Sequence, residues 1–156
     1  MDKYRVGVIG CGRMGTEHGK AYARHPKTKL AAACDVNETN LKIFAEQFRI
    51  HNCYTDYSEM LRKEKLDIVG IITPTSPRPV ITIAAAETPG VKGIFTEKPM
   101  ATSLEEADAM VGTCEKRGIP LEAGAISVNH PAYEKAKDLI ESEEIGELKS
   151  VEVTSW

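Results

Sequence analysis

The sequence predicts a doubly wound α/β fold, in which helices cover both faces of a parallel sheet. Short β-rich runs alternate with helical segments along most of the 156 residues, an order that builds parallel strands joined by crossover helices. The first β-rich run ends in a glycine-rich turn, residues 10–15, that opens directly into a helical segment. A strand, a glycine turn and a helix in this order are typical of the first βαβ unit of such a sheet.

Six strands and six helices are predicted up to residue 142. The strands are expected near residues 4–10, 30–35, 52–54, 67–72, 93–96 and 121–124. The helices are expected near residues 14–25, 38–47, 57–63, 80–86, 104–117 and 131–142. Two helices have apolar stripes at 3.6-residue spacing that predict a buried face: Leu41, Phe44, Ala45 and Phe48 in the second, and Leu104, Ala107, Met110, Val111 and Cys114 in the fifth.

Particular residues mark the helix ends. Ser103 and Glu106 have the spacing of a capping box at the start of the fifth helix. Gly118 is expected to end that helix, because glycine adopts the left-handed conformation that follows many helices. Pro131 is expected to start the last helix. Its predicted inward residues are Ala132, Ala136, Leu139 and Ile140.

The glycine turn has the spacing G-x-G-x-x-G at Gly10, Gly12 and Gly15. Gly10 would turn the chain out of the strand, Gly12 would leave space for phosphate oxygens, and Gly15 would let the helix approach the sheet closely. Backbone N–H groups at a helix N-terminus bind phosphate. We therefore expect the loop, together with Arg13 and Met14 in the first helical turn, to bind the pyrophosphate of a dinucleotide.

Asp35 lies twenty residues after Gly15, at the end of the second predicted strand. A carboxylate at this position accepts a hydrogen bond from the adenosine ribose in dinucleotide sites and repels a 2′-phosphate. The glycine loop and Asp35 together predict dinucleotide binding, with NAD favoured over NADP. The alternative is a turn carboxylate ahead of a helix that Asn37 caps.

Composition limits the class of partner. Twenty Lys and Arg nearly balance 23 Asp and Glu, so we expect no nucleic-acid or membrane partner and favour a small-molecule substrate. The four cysteines are widely spaced, with no C-x-x-C pair and no histidine at metal-ligand spacing, which indicates reduced thiols and no metal site. The charged start of the chain, with no apolar run of signal-peptide length, gives the expectation of a cytoplasmic protein.

At the end of the chain the pattern changes. Residues 1–130 are predicted to form the dinucleotide-binding domain, and residues 131–156 a linking helix followed by a strand. Residues 148–156 alternate apolar and polar side chains, as a half-buried strand does. An isolated strand is marginally stable. We therefore expect a second domain or a partner chain to pair with it, with a homo-oligomer as one possibility.

These features resemble the Gfo/Idh/MocA family of NAD(P)-dependent sugar and polyol oxidoreductases. The residues that support the resemblance are the three glycines of the loop, Asp35, Tyr54-Thr55-Asp56-Tyr57, Thr73-Pro74, Glu97-Lys98-Pro99 and Glu143-Glu144-Ile145-Gly146-Glu147. The resemblance implies a Rossmann fold that binds NAD. It also implies a second domain that completes the substrate pocket, and residue 156 would fall inside the strand that opens that domain.

The resemblance assigns roles near the nicotinamide. Lys98 would be the catalytic residue that reaches the substrate hydroxyl, and Glu97 would orient it or form an ion pair with it. Thr73 and Pro74 would contact the cofactor, as would Glu97 and Lys98. The family often has a cis peptide before the proline of Glu-Lys-Pro. The alternative for Lys98 is a solvated lysine in a loop that enters a helix.

The chain also departs from the family pattern. Thr75 and Arg78 replace the asparagine and histidine that commonly follow Thr-Pro. Asn129 and His130 stand where many relatives have an arginine-bearing segment, and they are candidate substrate-binding residues; the alternative for His130 is a helix cap. His18 is expected to be a packing or surface residue.

The resemblance leaves two functions open, an oxidoreductase or its cofactor-binding half, and a dinucleotide-binding module without turnover. An S-adenosylmethionine-dependent methyltransferase shares the glycine loop and the acidic strand end. That reading does not explain Glu97-Lys98-Pro99.

Overall fold

The computed structural model describes residues 3–125, 130–152 and 154. Strands and helices alternate in the predicted order, and the bounds are β1 (Tyr4–Ile9), α1 (Arg13–Arg24), β2 (Thr28–Cys34), α2 (Glu38–Phe48), β3 (Cys53–Tyr54), α3 (Tyr57–Lys63), β4 (Ile68–Ile71), α4 (Arg78–Glu87), β5 (Gly93–Thr96), α5 (Leu104–Arg117), β6 (Leu121–Ala123) and α6 (Pro131–Glu141). The chain divides into two compact units, Met1–Gly124 and Ala125–Trp156.

The first unit contains one six-stranded sheet with the order β3-β2-β1-β4-β5-β6. All neighbouring strands are parallel, which confirms the predicted doubly wound sheet. The strand order reverses between β1 and β4, because β2 and β3 lie on one side of β1 and the later strands on the other. Ligands of open α/β sheets bind at the carboxyl ends of the strands beside such a reversal.

Apolar side chains cover both faces of the sheet. Val6 and Val8 of β1 belong to a buried cluster that includes Phe44 of α2. Ile9 belongs to a second cluster that includes Met60 of α3 and Ile81 of α4. Because alternate residues of a strand point to opposite faces, the split between Val8 and Ile9 shows that helices pack on both sides.

The helix caps largely follow the sequence. Asn37 caps α2 by accepting from the N–H groups of Thr39 and Asn40, both at 3.0 Å. Gly118 ends α5 in the left-handed conformation, at φ 64°. At the start of α5 the Ser103 hydroxyl accepts from the Glu106 N–H at 3.2 Å. The other half of the predicted capping box is shifted by one residue.

In a capping box the Glu106 carboxylate would accept from the backbone N–H of Ser103. Here it accepts from the backbone N–H and the hydroxyl of Thr102, one residue earlier. The predicted apolar stripe of α5 is also only partly buried. Met110 and Cys114 are buried, whereas Leu104 is 80% exposed and Val111 39% exposed. Leu104 belongs to the first helical turn, outside the face that packs on the sheet. The buried face of α5 is therefore narrower than the apolar stripe predicted.

In the second unit the prediction of a buried face on α6 is wrong. None of the residues of α6 is buried, and Ala132, Ala136 and Ile140 are exposed. Residues 148–152 and 154 are exposed and form no strand within the described residues, so the strand expected there stays a prediction. A strand needs a neighbour for its backbone hydrogen bonds, and the described part of this unit provides none. Pairing of this segment with another chain stays a prediction.

Candidate functional site

The glycine loop connects β1 to α1 and is closely packed at two of its glycines. Gly10 has a positive φ of 98°, and a Cβ there would lie 2.5 Å from the carbonyl oxygen of Ile72. A Cβ at Gly15 would lie 2.0 Å from the carbonyl oxygen of Gly10. Both separations are shorter than any real carbon–oxygen contact. Gly10 therefore makes the turn and Gly15 makes the close approach, as the sequence predicted.

Gly12 differs from these two glycines because its surroundings are open. Among the described residues, no heavy atom lies within 4 Å of the position of a Cβ at Gly12. Gly12 is the N-cap of α1, and in the described part of the chain no side chain caps this end of the helix. Arg13 and Met14 follow in the first turn and are exposed. The positive end of α1 thus faces open space, which is the arrangement that binds anions at helix N-termini.

Asp35 links this loop to the end of β2. One carboxylate oxygen, Oδ2, accepts from the N–H of Cys11 at 2.7 Å, and the other, Oδ1, accepts from the N–H of Asn37 at 2.8 Å. Asn37, not Asp35, caps α2. Each carboxylate oxygen has a second lone pair that these bonds leave for another donor. Asp35 is therefore placed to accept hydrogen bonds from a ligand beside the glycine loop.

A cavity of about 510 Å³ lies at this edge of the sheet. Its lining includes Gly10, Gly12, Asp35, Thr73 and Pro74, which follow or end β1, β2 and β4 at their carboxyl ends. This volume is within the usual range for ligand pockets. A hollow of about 680 Å³ lies along α2 and β3, but it contains neither the glycine loop nor Asp35. The smaller cavity therefore brings together the cofactor residues that the sequence predicted from these three strands.

Glu97, at the end of β5, is buried and makes two hydrogen bonds. Its Oε1 bonds to the ring Nε2 of His18 at 2.7 Å, and its Oε2 accepts from the backbone N–H of Lys98 at 3.0 Å. Burial opposes ionisation of this carboxyl, but the bonds from His18 and Lys98 and the charge of Arg78 outweigh it and lower the pKa of Glu97. Glu97 is therefore a carboxylate at neutral pH.

Glu97 was expected either to orient Lys98 or to form an ion pair with its ammonium, and among the described contacts it bonds to the Lys98 backbone. The carboxylate bonds to the Lys98 backbone and to His18, and the Lys98 side chain is exposed. Lys98 is followed by a cis peptide bond to Pro99, the isomer that the resemblance implied. His18 packs against the ring of Phe95, as the sequence predicted, but spacing along the chain gives no sign of its contact with Glu97.

Arg78, the residue that departs from the family pattern, is buried at the start of α4. Its guanidinium donates to the carbonyl oxygen of Thr73 from Nε at 2.9 Å and from Nη2 at 2.5 Å. Its Nη1 donates to the carbonyl oxygens of Glu97, at 3.0 Å, and of Pro99. One side chain therefore ties the loop after β4 to the loop after β5.

The other residues singled out in the sequence include a helix cap and three buried cysteines. His130 caps α6, because its Nδ1 accepts from the N–H of Ala132 at 3.3 Å, and Asn129 lies outside the described residues. Cys11, Cys34 and Cys114 are buried free thiols, and burial raises the pKa of each. No group of three or more His, Cys, Asp or Glu side chains suited to a metal occurs within the described ranges. Among the described helices, none is long and apolar enough to cross a membrane.

Comparison with known proteins identifies related sequences along most of the chain. Residues 4–125 match the Gfo/Idh/MocA family model, described as an oxidoreductase family with an NAD-binding Rossmann fold. The chain is 35% identical over 143 residues to the scyllo-inositol 2-dehydrogenase (NAD(+)) of Bacillus subtilis strain 168, an alignment that covers 91% of this chain and 41% of the relative. It is 29% identical over 151 residues to the myo-inositol 2-dehydrogenase of Thermotoga maritima, covering 97% and 45%.

Solved structures give the same picture of the fold. An oxidoreductase from Agrobacterium radiobacter, solved in complex with NAD+, L-tartaric acid and magnesium, superposes with a TM-score of 0.85 at 30% identity. The match covers 93% of this chain and 42% of that chain. The chain thus spans less than half the length of each of these relatives.

Proposed function

Since the chain belongs to the Gfo/Idh/MocA oxidoreductase family, which has an NAD-binding Rossmann fold, we propose that it is the cofactor-binding half of an NAD-dependent dehydrogenase. This half would serve hydride transfer between NAD and a sugar or polyol. The observation that supports this most directly is the bond between Asp35 and the glycine loop, where Oδ2 accepts from the Cys11 N–H at 2.7 Å. This bond places Asp35, the residue proposed to bind the ribose, beside the loop proposed to bind the pyrophosphate.

In this proposal the cofactor extends across the carboxyl edge of the sheet. The pyrophosphate would lie against Gly12 and the first turn of α1, including Arg13 and Met14, because that helix end faces open space. The adenosine ribose would donate hydroxyl hydrogen bonds to Asp35. A carboxylate repels a 2′-phosphate, so NAD is the proposed cofactor rather than NADP.

The nicotinamide would lie toward the loops after β4 and β5. Thr73 and Pro74, in the loop after β4, line the cavity. Arg78 joins that loop to Glu97 and Pro99. Lys98 lies between these two residues and therefore at the same carboxyl edge of the sheet. When bound, NAD would supply the acceptor for a hydride from the alcohol carbon of the substrate. Lys98 would hydrogen-bond the reacting oxygen, take its proton during oxidation and return it during reduction.

The proposed substrate class is a sugar or a cyclic polyol. Two relatives are named as dehydrogenases of scyllo-inositol and myo-inositol, in which the reacting group is a ring carbinol. Asn129 and His130 are proposed to contact this substrate. The imidazole of His130 has two ring nitrogens, and these can donate or accept hydrogen bonds.

We expect substitution of Asp35 to change cofactor preference. Asp35→Ala should weaken NAD binding about tenfold or more, because a hydrogen bond to a charged group is lost, and should narrow the preference for NAD over NADP. Asp35→Asn should narrow the preference while retaining an oxygen for the Cys11 N–H. Calorimetric titration of both cofactors into each variant measures the ratio.

The matched control is Asp108→Ala, which removes an exposed carboxylate from α5 and should leave both affinities unchanged. An unaltered ratio of NAD to NADP affinity in Asp35→Ala would show that Asp35 does not bind the ribose.

We expect Lys98→Ala to separate binding from catalysis. NAD affinity of this chain should stay within about twofold, whereas in a two-domain protein that contains it, oxidation of scyllo-inositol and myo-inositol should fall by about 10² to 10⁴, the range for loss of an acid–base group. NADH formation measured by absorbance is the assay, and Lys116→Ala on α5 is the control. Retained turnover in Lys98→Ala would remove this residue from the mechanism.

The same assay tests the alternative, a dinucleotide-binding module without turnover. A two-domain protein that contains this chain, binds NADH and oxidises no sugar or polyol would favour that alternative. Turnover of any polyol with NAD would exclude it.

A further inference from the structure

The most specific unassigned contact in the molecule joins α1 to the Glu-Lys-Pro turn. His18 lies in the second turn of α1, and its Nε2 is 2.7 Å from Oε1 of Glu97. The imidazole is partly buried and packs against the ring of Phe95, with ring centroids 4.7 Å apart. Residues 18 and 97 are far apart in sequence, so this contact exists only because the sheet brings α1 beside the end of β5.

Glu97 passes this contact on to Lys98. Its second carboxylate oxygen accepts from the Lys98 N–H at 3.0 Å, so one carboxylate is bonded on one side to α1 and on the other to the backbone of the lysine. Gly124 confines it further, since a Cβ at Gly124 would lie 3.4 Å from the carboxyl carbon of Glu97. The carboxylate is therefore fixed by a histidine, a backbone amide and the neighbouring chain.

We propose that His18 is a positioning residue for Lys98, which acts by holding the Glu97 carboxylate in the orientation that binds the Lys98 N–H. The role of Lys98 itself rests on the proposed function. A lysine side chain is long and has many rotamers. Because the Lys98 side chain is exposed, its backbone is the part that the protein can fix. Through this contact, the position of α1 also determines the position of the Lys98 backbone.

Helix α1 would thus act at two places in the cofactor site. Its N-terminus would face the pyrophosphate, and one turn further His18 would hold the turn beside the nicotinamide. The phosphate site and the catalytic lysine would then keep a fixed separation, because an α-helix is a rigid element between them.

The experiment compares His18→Leu, which fills the space without a hydrogen-bond donor, with His18→Gln, whose side-chain amide can still donate to Glu97. Hydrogen exchange of the Lys98 amide is measured by NMR in the whole 156-residue chain. We expect exchange to be about tenfold faster in His18→Leu, because the hydrogen bond to Glu97 is weakened, and within about threefold of wild type in His18→Gln. His51→Leu, at an exposed histidine, is the matched control and should leave it unchanged.

A second measurement reports on the Lys98 side chain. Reductive methylation with ¹³C-formaldehyde labels the lysines, and Lys98→Arg identifies the signal of Lys98. Addition of NADH should shift this signal in wild type and in His18→Gln, and by less than half as much in His18→Leu. A histidine that only stabilises the fold would leave this shift unchanged.

The outcomes separate this proposal from the proposed function. Exchange of the Lys98 amide that is the same in His18→Leu and wild type, with the buried amides of Val8 and Ile71 equally protected in both, would overturn the role of His18. If His18→Leu does not fold, His18→Asn replaces it, because its side chain is polar but too short to reach Glu97. Failure of the wild-type chain to bind NADH would instead contradict the proposed function.

Discussion

Gly15→Ala should lower the free energy of unfolding by about 3 kcal/mol, because a methyl group at residue 15 has no room. The Cβ would lie 2.0 Å from the carbonyl oxygen of Gly10, which is a backbone atom and cannot rotate away as a flexible side chain could. Relief would require α1 to move away from the end of β1. Alanine is favoured over glycine in a helix by about 1 kcal/mol, but this gain is smaller than the cost of the overlap.

Urea unfolding followed by circular dichroism measures the change, and the same loop offers a matched control. Gly12→Ala adds the same methyl group where no heavy atom of the described chain lies within 4 Å, at φ −71°. Its unfolding free energy should fall by no more than about 1 kcal/mol, the usual cost of alanine at an N-cap. Equal stabilities of Gly15→Ala and Gly12→Ala would mean that α1 does not pack against the loop as described.

Arg78→Met should lower the free energy of unfolding by about 3–5 kcal/mol. The guanidinium donates to the backbone carbonyls of Thr73, Glu97 and Pro99, and methionine would leave these acceptors without donors, at a cost of about 1–3 kcal/mol for each buried group. An arginine at the first residue of a helix is disfavoured by the helix dipole, and burial lowers the pKa of Arg78. Its carbonyl contacts must therefore outweigh both costs.

Two further variants define the cause. Arg78→Lys should recover only part of the loss, because an ammonium is a point donor and cannot bind several carbonyls as the planar guanidinium does. Arg62→Met removes an exposed arginine from α3 and should change the unfolding free energy by less than about 0.5 kcal/mol. If Arg78→Met and Arg62→Met are equally stable, Arg78 does not hold the two loops together.

Local sequence signals were sufficient for the sheet but not for the contacts between its loops. Period-2 and period-3.6 patterns depend on neighbours in the chain, so β1, α2 and the turn at Gly118 could be predicted from the residues alone. The apolar stripe of α5 predicted the helix correctly but predicted a wider buried face than the structure has. A pattern shows which side chains are apolar, whereas packing decides that Leu104 remains exposed.

The contacts of His18 and Arg78 could not be predicted for a different reason. Each joins segments that are distant in sequence, and the partners of Arg78 are backbone carbonyls, which every residue has. The family resemblance identified Arg78 as a departure from the usual pattern. For Glu97 it predicted a contact with Lys98 and none with His18. The fold instead places a histidine from α1 next to that carboxylate, a pairing that no spacing rule contains.

The Asp35 carboxylate is held by hydrogen bonds from the Cys11 and Asn37 N–H groups of the folded chain. Fixing a flexible side chain on binding costs about 0.5–1.5 kcal/mol, and here that ordering is achieved when the chain folds. Asp35 is thus preorganised. Cofactor affinity is therefore tied to the integrity of the glycine loop, so a substitution that loosens the loop weakens binding without touching the ligand, and a bound dinucleotide in turn stabilises the loop against unfolding.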